Sequence, residues 1–170
     1  MKKIIIVFGI ILIIFIIIFL GIFNQKVEVK FDKCVDGDTF WLVINNKREK
    51  VRILGVDTPE STNYIEEYGI DASIYTCNLL KNANNIYLEY DINSDRYDKY
   101  DRLLAWVFVD NNNLSELLLS KGYANVDYIY GKYKYLDDLC NVQEQAYLNK
   151  VGIWNNSKYN YYNNYCYKKY

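Results

Sequence analysis

No histidine occurs among the 170 residues, and proline occurs once. The first absence removes whole classes of chemistry. Ser-His and Cys-His nucleophile pairs, imidazole-bound zinc and histidine general bases all need a ring that this chain does not carry. Catalysis must draw on carboxylates, guanidinium groups, tyrosines, thiols or a metal held by oxygen. An excess of positive charge is missing too, with 20 basic side chains against 21 acidic ones. A protein that coats nucleic acid is normally basic, so any contact with DNA or RNA must run through a local site. Arginine is scarce, with only Arg48, Arg52, Arg96 and Arg102 in the chain.

What the chain does have begins with a long apolar run. Met1-Lys2-Lys3 precedes 20 residues from Ile4 to Phe23 that carry no charge. At a helical rise of about 1.5 Å per residue they would span roughly 30 Å, the hydrocarbon thickness of a bilayer. A signal-anchor transmembrane helix is therefore expected over residues 1–24. A cleaved signal peptide is the alternative, but its cleavage site wants small residues, and the first alanine is Ala72. A lipoprotein signal does not fit, because the first cysteine, Cys34, lies well beyond the run. Lysines on the amino side favour the cytoplasm, which would put the rest of the chain outside the cell. Setting Lys2 and Lys3 aside, that part carries a net charge of about -3. Its four cysteines, Cys34, Cys77, Cys140 and Cys166, allow three pairings and show no metal-ligand spacing. The expectation is two ordinary thiols and at most one bridge.

The body reads as mainly β with helices. Val27 to Phe31, Thr39 to Ile44 and Lys50 to Val56 are rich in β-branched and aromatic residues, with Asn45-Asn46 as a turn. A helix is expected from Asp71 to Ala83, with Ala72, Tyr75, Leu79 and Ala83 on one face. Strands Ile86 to Tyr90 and Leu104 to Val109 follow, then a helix from Leu114 to Lys121 closed by Gly122. Leu136, Leu139, Cys140, Gln143, Ala146 and Tyr147 recur at helical spacing. Five strands with interspersed helices suggest a small barrel, of which the oligonucleotide-binding (OB) barrel is one architecture. From Asn155 to Tyr170 the composition turns to tyrosine, asparagine and lysine. Such a tail either stacks on bases or is a loosely ordered product of biased composition.

Three short segments concentrate the chemistry. Val35-Asp36-Gly37-Asp38-Thr39 sets two carboxylates beside a glycine before a strand, though Asp-Gly is also an ordinary turn. Val51-Arg52-Ile53-Leu54-Gly55-Val56-Asp57-Thr58-Pro59-Glu60 holds an arginine inside an apolar strand, which demands a nearby anion. Its end also reads as a helix opening, with Thr58 as cap, Pro59 next and Glu60 in the first turn. Asp98-Lys99-Tyr100-Asp101-Arg102 puts a second arginine at the mouth of a strand, with Asp101 or Asp98 as its plain salt-bridge partner. Taken together, Asp38 and Asp57 could hold a hard divalent cation, Arg52 and Arg102 could grip a phosphate through paired N–H donors, and Glu60 could serve as base. That is the set of groups that metal-assisted phosphodiester hydrolysis requires.

Those motifs, VDGDT, R-x4-DTPE and DKY-x-R before an apolar strand, make the chain resemble the staphylococcal (micrococcal) nuclease family from about Lys26 to Trp154. Glu67-Tyr68-Gly69, Tyr128-Ile129-Tyr130 and Gly152-Ile153-Trp154 add to the likeness. The resemblance implies a five-stranded OB barrel with three helices over residues 25–154. It implies a monomeric, calcium-dependent enzyme that cleaves DNA and RNA to 3'-phosphate products. By position, Asp38, Asp57 and the Thr58 carbonyl would bind Ca²⁺, with Asp36 behind them. Arg52, Glu60 and Arg102 would be catalytic. Lys99, Tyr100, Tyr128 and Tyr130 would bind substrate. Asp101 stands where the family usually has glycine, and a left-handed backbone is expected there. Its charge is also expected to compete for Arg102. The stretch between Glu60 and Tyr68 is shorter and more acidic than the lysine-rich loop of the staphylococcal enzyme. Two other readings are a non-catalytic nucleic-acid-binding OB module and a membrane-anchored scaffold or adhesion domain.

Overall fold

The computed structural model describes residues 26–155, 159, 161 and 165–168, so the apolar run expected to anchor the chain lies outside them. Among the described residues no helix is long and apolar enough to cross a membrane. The β-branched and aromatic segments become strands. These are β1 (Val27–Cys34), β2 (Thr39–Ile44), β3 (Lys47–Ile53), β5 (Ile86–Glu89) and β6 (Leu103–Val109), with two-residue strands β4 (Val56–Asp57), β7 (Asn112–Asn113) and β8 (Asn125–Val126). Strand β3 starts three residues earlier than its apolar content suggested, because Asn45 and Asn46 both take positive φ (48° and 63°). Such a two-residue turn matches the twist of the flanking strands and pulls Lys47 into register with Ile44.

The sheet runs in the order β3-β2-β1-β5-β6, and a parallel pairing of β3 with β6 joins its two edges. Five strands thus close on themselves, as the OB architecture requires. A register shift between Phe31 and Lys33 lets β1 bend. The interior is filled by Phe40, Leu42, Val51, Ile53, Leu88, Leu103 and Val107, each no more than 2 % exposed. Removing one such side chain from water contributes roughly 1.5–3 kcal/mol.

Helices α1 (Gly69–Asn82), α2 (Leu114–Ser120) and α3 (Leu136–Leu148) surround the barrel, and a 3-10 turn follows at Gly152–Asn155. In α1 the fully covered positions are Ala72, Thr76 and Leu80, while Tyr75 and Leu79 only flank the core. The buried face is thus rotated from the one expected, and a polar threonine sits at its centre.

All four cysteines are bonded, which corrects the expectation of free thiols. Cys34 joins Cys77 across 5.9 Å between Cα atoms, and Cys140 joins Cys166 across 5.3 Å. The second bridge ties a one-turn helix, α4 (Tyr165–Lys168), to α3. Tyr161 stacks on Tyr147 with ring centroids 4.4 Å apart, and Trp154 packs edge-on against Tyr147. For these described residues the tail is anchored to the domain; its remaining residues lie outside the description.

Candidate active site

The acid loop between β1 and β2 is closed by main-chain bonds from Val35 and Asp36 to the Thr39 carbonyl (3.1 and 2.8 Å). Gly37 fits because a Cβ there would lie 2.8 Å from Thr58 Oγ1 and 3.0 Å from the Ala72 Cβ. Helix α1 grips the loop at two adjacent positions. Thr76 Oγ1 donates to the Gly37 carbonyl at 2.6 Å, and Cys77 is bonded to Cys34.

Asp38, 2 % exposed, is heavily held. Its Oδ1 accepts from Thr39 Oγ1 at 2.8 Å, and its Oδ2 accepts from Thr58 N and Oγ1 at 3.1 and 3.0 Å. This settles the role of Thr58 against helix capping, since no helix opens at Thr58-Pro59-Glu60 and α1 begins only at Gly69. Asp36 accepts from Gly37 N at 2.8 Å and from Ser61 Oγ at 2.6 Å.

Register explains how Arg52 arrives. In β3 it lies opposite Thr39 of β2, one residue from Asp38, and alongside Leu104 of β6. Its Nη1 contacts Asp38 Oδ1 at 2.7 Å and its Nη2 contacts Asp57 Oδ1 at 2.8 Å. The same Nη2 donates to the Val56 carbonyl at 3.2 Å. The anion demanded by an arginine in an apolar strand is thus a pair of carboxylates. Gly55, at φ 78°, makes the sharp turn that returns Asp57 toward Arg52, and Trp106 and Leu139 leave no room there for a Cβ.

Burial opposes charge throughout this cluster. It would lower the Arg52 pKa, but Asp38 and Asp57 outweigh it and hold the guanidinium more firmly charged than usual. Asp57 is pushed up to about 6, first by burial, against the pull of Arg52 and with Asp38 adding to the rise. Glu60 is raised by burial and then by the neighbouring Asp36 carboxylate, with Asp38 and Asp57 contributing further. Its backbone is fixed by Gly69, where a Cβ would fall 2.1 Å from the Glu60 carbonyl oxygen.

Among the described residues no group of three His, Cys, Asp or Glu side chains is gathered to hold a metal ion. A cation here would therefore rest on two carboxylates and main-chain oxygen. Asp38, Asp57 and the Thr58 carbonyl supply oxygen alone, the donor chemistry of a hard divalent ion. A half-buried acid that resists ionisation beside a second carboxylate is a place that a cation relieves, so the residues fit one.

Beyond Arg52 opens a cleft of about 480 Å³ lined by Arg52, Lys99, Tyr100, Arg102, Tyr128 and Tyr130, together with Tyr97 and Tyr133. Both arginines reach it because β3 and β6 run parallel at the same barrel end. Arg102 is held by Asp98 through Nε and Nη2, each 2.6 Å from Oδ2. Asp101 instead takes φ 57°, the left-handed turn expected of it, and the competition for Arg102 comes from Asp98. Tyr128 lies over Arg52, with 5.0 Å from ring centroid to guanidinium carbon, and Tyr130 stands 6.5 Å from Tyr128 between ring centroids. The short β4–β8 pairing brings the 127–130 segment to this rim. Tyr100 lies near Lys99 and Arg102, at 5.0 and 5.4 Å.

Every site residue expected from sequence thus lies in the acid cluster or the cleft, and Arg52 belongs to both. Sequence reasoning missed Ser61 and Thr76, which position the acids, and noted Gly69 only within a motif, not as what fixes Glu60. A hydroxyl on the face shared by Ala72 and Leu80 is the one signal that could have pointed to Thr76.

The family model described as "Staphylococcal nuclease homologue" matches residues 50–156. The chain is 42% identical over 142 residues to "Endonuclease YncB" of Bacillus subtilis, a match covering 80% of this chain and 66% of that protein. It is 39% identical over 140 residues to "SPbeta prophage-derived endonuclease YokF" of Bacillus subtilis, covering 80% and 47%. With "Thermonuclease" of Staphylococcus hyicus it shares 33% identity over 140 residues, covering 80% and 81%. The chain spans just under two thirds of the first of these relatives and about half of the second.

Proposed function

Because the chain belongs to the staphylococcal nuclease homologue family, we propose that it is a calcium-dependent phosphodiesterase. In this reading it cleaves DNA and RNA to products ending in 3'-phosphate, and works as a monomer on the outer face of the cell membrane. One observation carries the chemical part. Arg52 joins the acid pair Asp38 and Asp57, through contacts of 2.7 and 2.8 Å, to a cleft that Arg102 also lines.

Asp38, Asp57 and the Thr58 carbonyl would hold the calcium ion, which would supply positive charge against the phosphodiester. Arg52 directs N–H donors to the phosphate from the acid side of the cleft, while Arg102 meets it from the β6 side. Their planar forks match two phosphate oxygens at once, which a lysine ammonium cannot. Arg102 would stabilise the extra charge of five-coordinate phosphorus and assist departure of the 5'-oxygen. Glu60, with a pKa raised toward the working pH, accepts a proton from the attacking water or orients it. Lys99 and Tyr100 would bind a terminal phosphate, and Tyr128 and Tyr130 would flank the nucleotide. General-base help is typically about 10² to 10⁴ in rate, so electrostatic stabilisation must carry most of the acceleration.

Membrane display is supported by the uncharged run behind Lys2 and Lys3 and by two disulfides, which persist in oxidising compartments. The chemistry is tested by incubating the purified protein with plasmid DNA and with RNA in calcium and then in chelator. Digestion of both that stops on chelation is expected, with ends that a kinase labels at the 5' side directly. Binding without cleavage would reveal a silent OB module instead. Protease shaving of intact cells tests display, since a domain facing inward would survive it.

A further inference from the structure

A second groove, of about 660 Å³, adjoins the catalytic cleft and is lined by Asn93, Tyr130, Lys132, Tyr133, Lys134 and Tyr165, among others. Tyr130 and Tyr133 line both cavities, so one wall runs unbroken from the first into the second. Tyr165 belongs to α4 of the tyrosine-rich tail, one residue from Cys166, whose bond to Cys140 fixes α4 against α3. We propose that this groove is a second nucleotide subsite, in which Tyr130 and Tyr165 stack the base next along the substrate strand and Lys132 meets its phosphate. The proposal rests on the nuclease reading and deepens it, making the preferred substrate a single strand longer than a dinucleotide.

Three observations support a built site. The rings are available, with Tyr130 81 % and Tyr165 37 % exposed, and aromatic faces bind any base regardless of sequence. The floor is rigid. Asn93 Nδ2 donates to the Lys132 carbonyl at 2.7 Å, and the backbone passes so close that a Cβ on Gly131 would lie 2.5 Å from the Asn93 carbonyl. The two lysines are also not equivalent. Lys134 is committed to the buried Glu89 at 2.6 Å, whereas Lys132 is exposed at the groove. Asp137 also lines the groove, and its charge weighs against a long phosphate track there.

The test is steady-state cleavage, in calcium, of a thymidine dinucleotide and a thymidine octanucleotide by the full chain. Tyr165→Ala and Lys132→Ala are each expected to raise KM for the octanucleotide about five- to tenfold while leaving both constants for the dinucleotide unchanged. Tyr165→Phe keeps the ring and should keep the wild-type KM. Unaltered octanucleotide kinetics in Tyr165→Ala overturn the subsite and leave the nuclease reading standing. Failure of the unaltered protein to cleave either oligonucleotide overturns both.

Discussion

Arg52 touches both the acid pair and the cleft. Its two terminal nitrogens are shared between Asp38 and Asp57, and the residue also lines the cleft. Replacing it with lysine keeps the charge and loses the fork, so kcat for Arg52→Lys and for Arg102→Lys should fall by about 10² or more. Both losses should be at least as large as that of Glu60→Gln, and a near-normal Arg102→Lys enzyme would remove that arginine from the mechanism. Asp57 gives a second expectation. Its folded pKa of about 6 lies above the ordinary 3.8, so between those values the metal-free fold holds a proton that the unfolded chain has lost. That contribution to stability is present at low pH and is lost as pH rises through the window toward 6. If Asp57 holds calcium, the ion needs the ionised form, so the calcium-induced rise in Tm should be clearly larger at pH 7.5 than at pH 5. Equal shifts at the two pH values would show that Asp57 does not hold the ion.

At the scale of elements, the two disulfides separate stability from chemistry. Cys34–Cys77 closes 43 residues and Cys140–Cys166 closes 26, worth about 4 and 3.5 kcal/mol by loop entropy. Removing either pair by serine should lower Tm by about 10 °C. Only the first pair flanks the acid loop, beside the Thr76 bond to Gly37. Calcium needed for half-maximal cleavage should therefore rise in Cys34→Ser/Cys77→Ser and stay put in Cys140→Ser/Cys166→Ser. A common response would mean that the bridge acts on the fold alone.

The same elements mark how far sequence could be read. Strands and helices follow local periodicity, so their existence was legible and their ends drifted by a few residues. The misread cases depend on partners distant in sequence. Thr58 resembles a helix cap until Asp38, 20 residues away, claims its amide and hydroxyl. Thr76 looks out of place on α1 until the Gly37 carbonyl, 39 residues away, is seen beneath it. Pairing of the cysteines follows the same logic, since spacing alone cannot tell Cys77 from Cys140 as the mate of Cys34.

For the whole molecule, barrel closure converts three scattered motifs into one site. Parallel pairing of β3 with β6 aligns Arg52 with Leu104 and so delivers Arg102 to the same rim. The β4–β8 ladder carries Asp57 and the tyrosines 128 and 130 to it from opposite sides. No local signal encodes that parallel contact, so the motifs gave the site's members while only the fold gave its geometry. The most direct test of this convergence is the calcium concentration for half-maximal cleavage, measured for the unaltered protein, Asp38→Asn and Asp57→Asn. If both acids share one ion opposite Arg52, each substitution raises that concentration tenfold or more or abolishes cleavage. Calcium dependence that is unchanged in either variant would contradict the account.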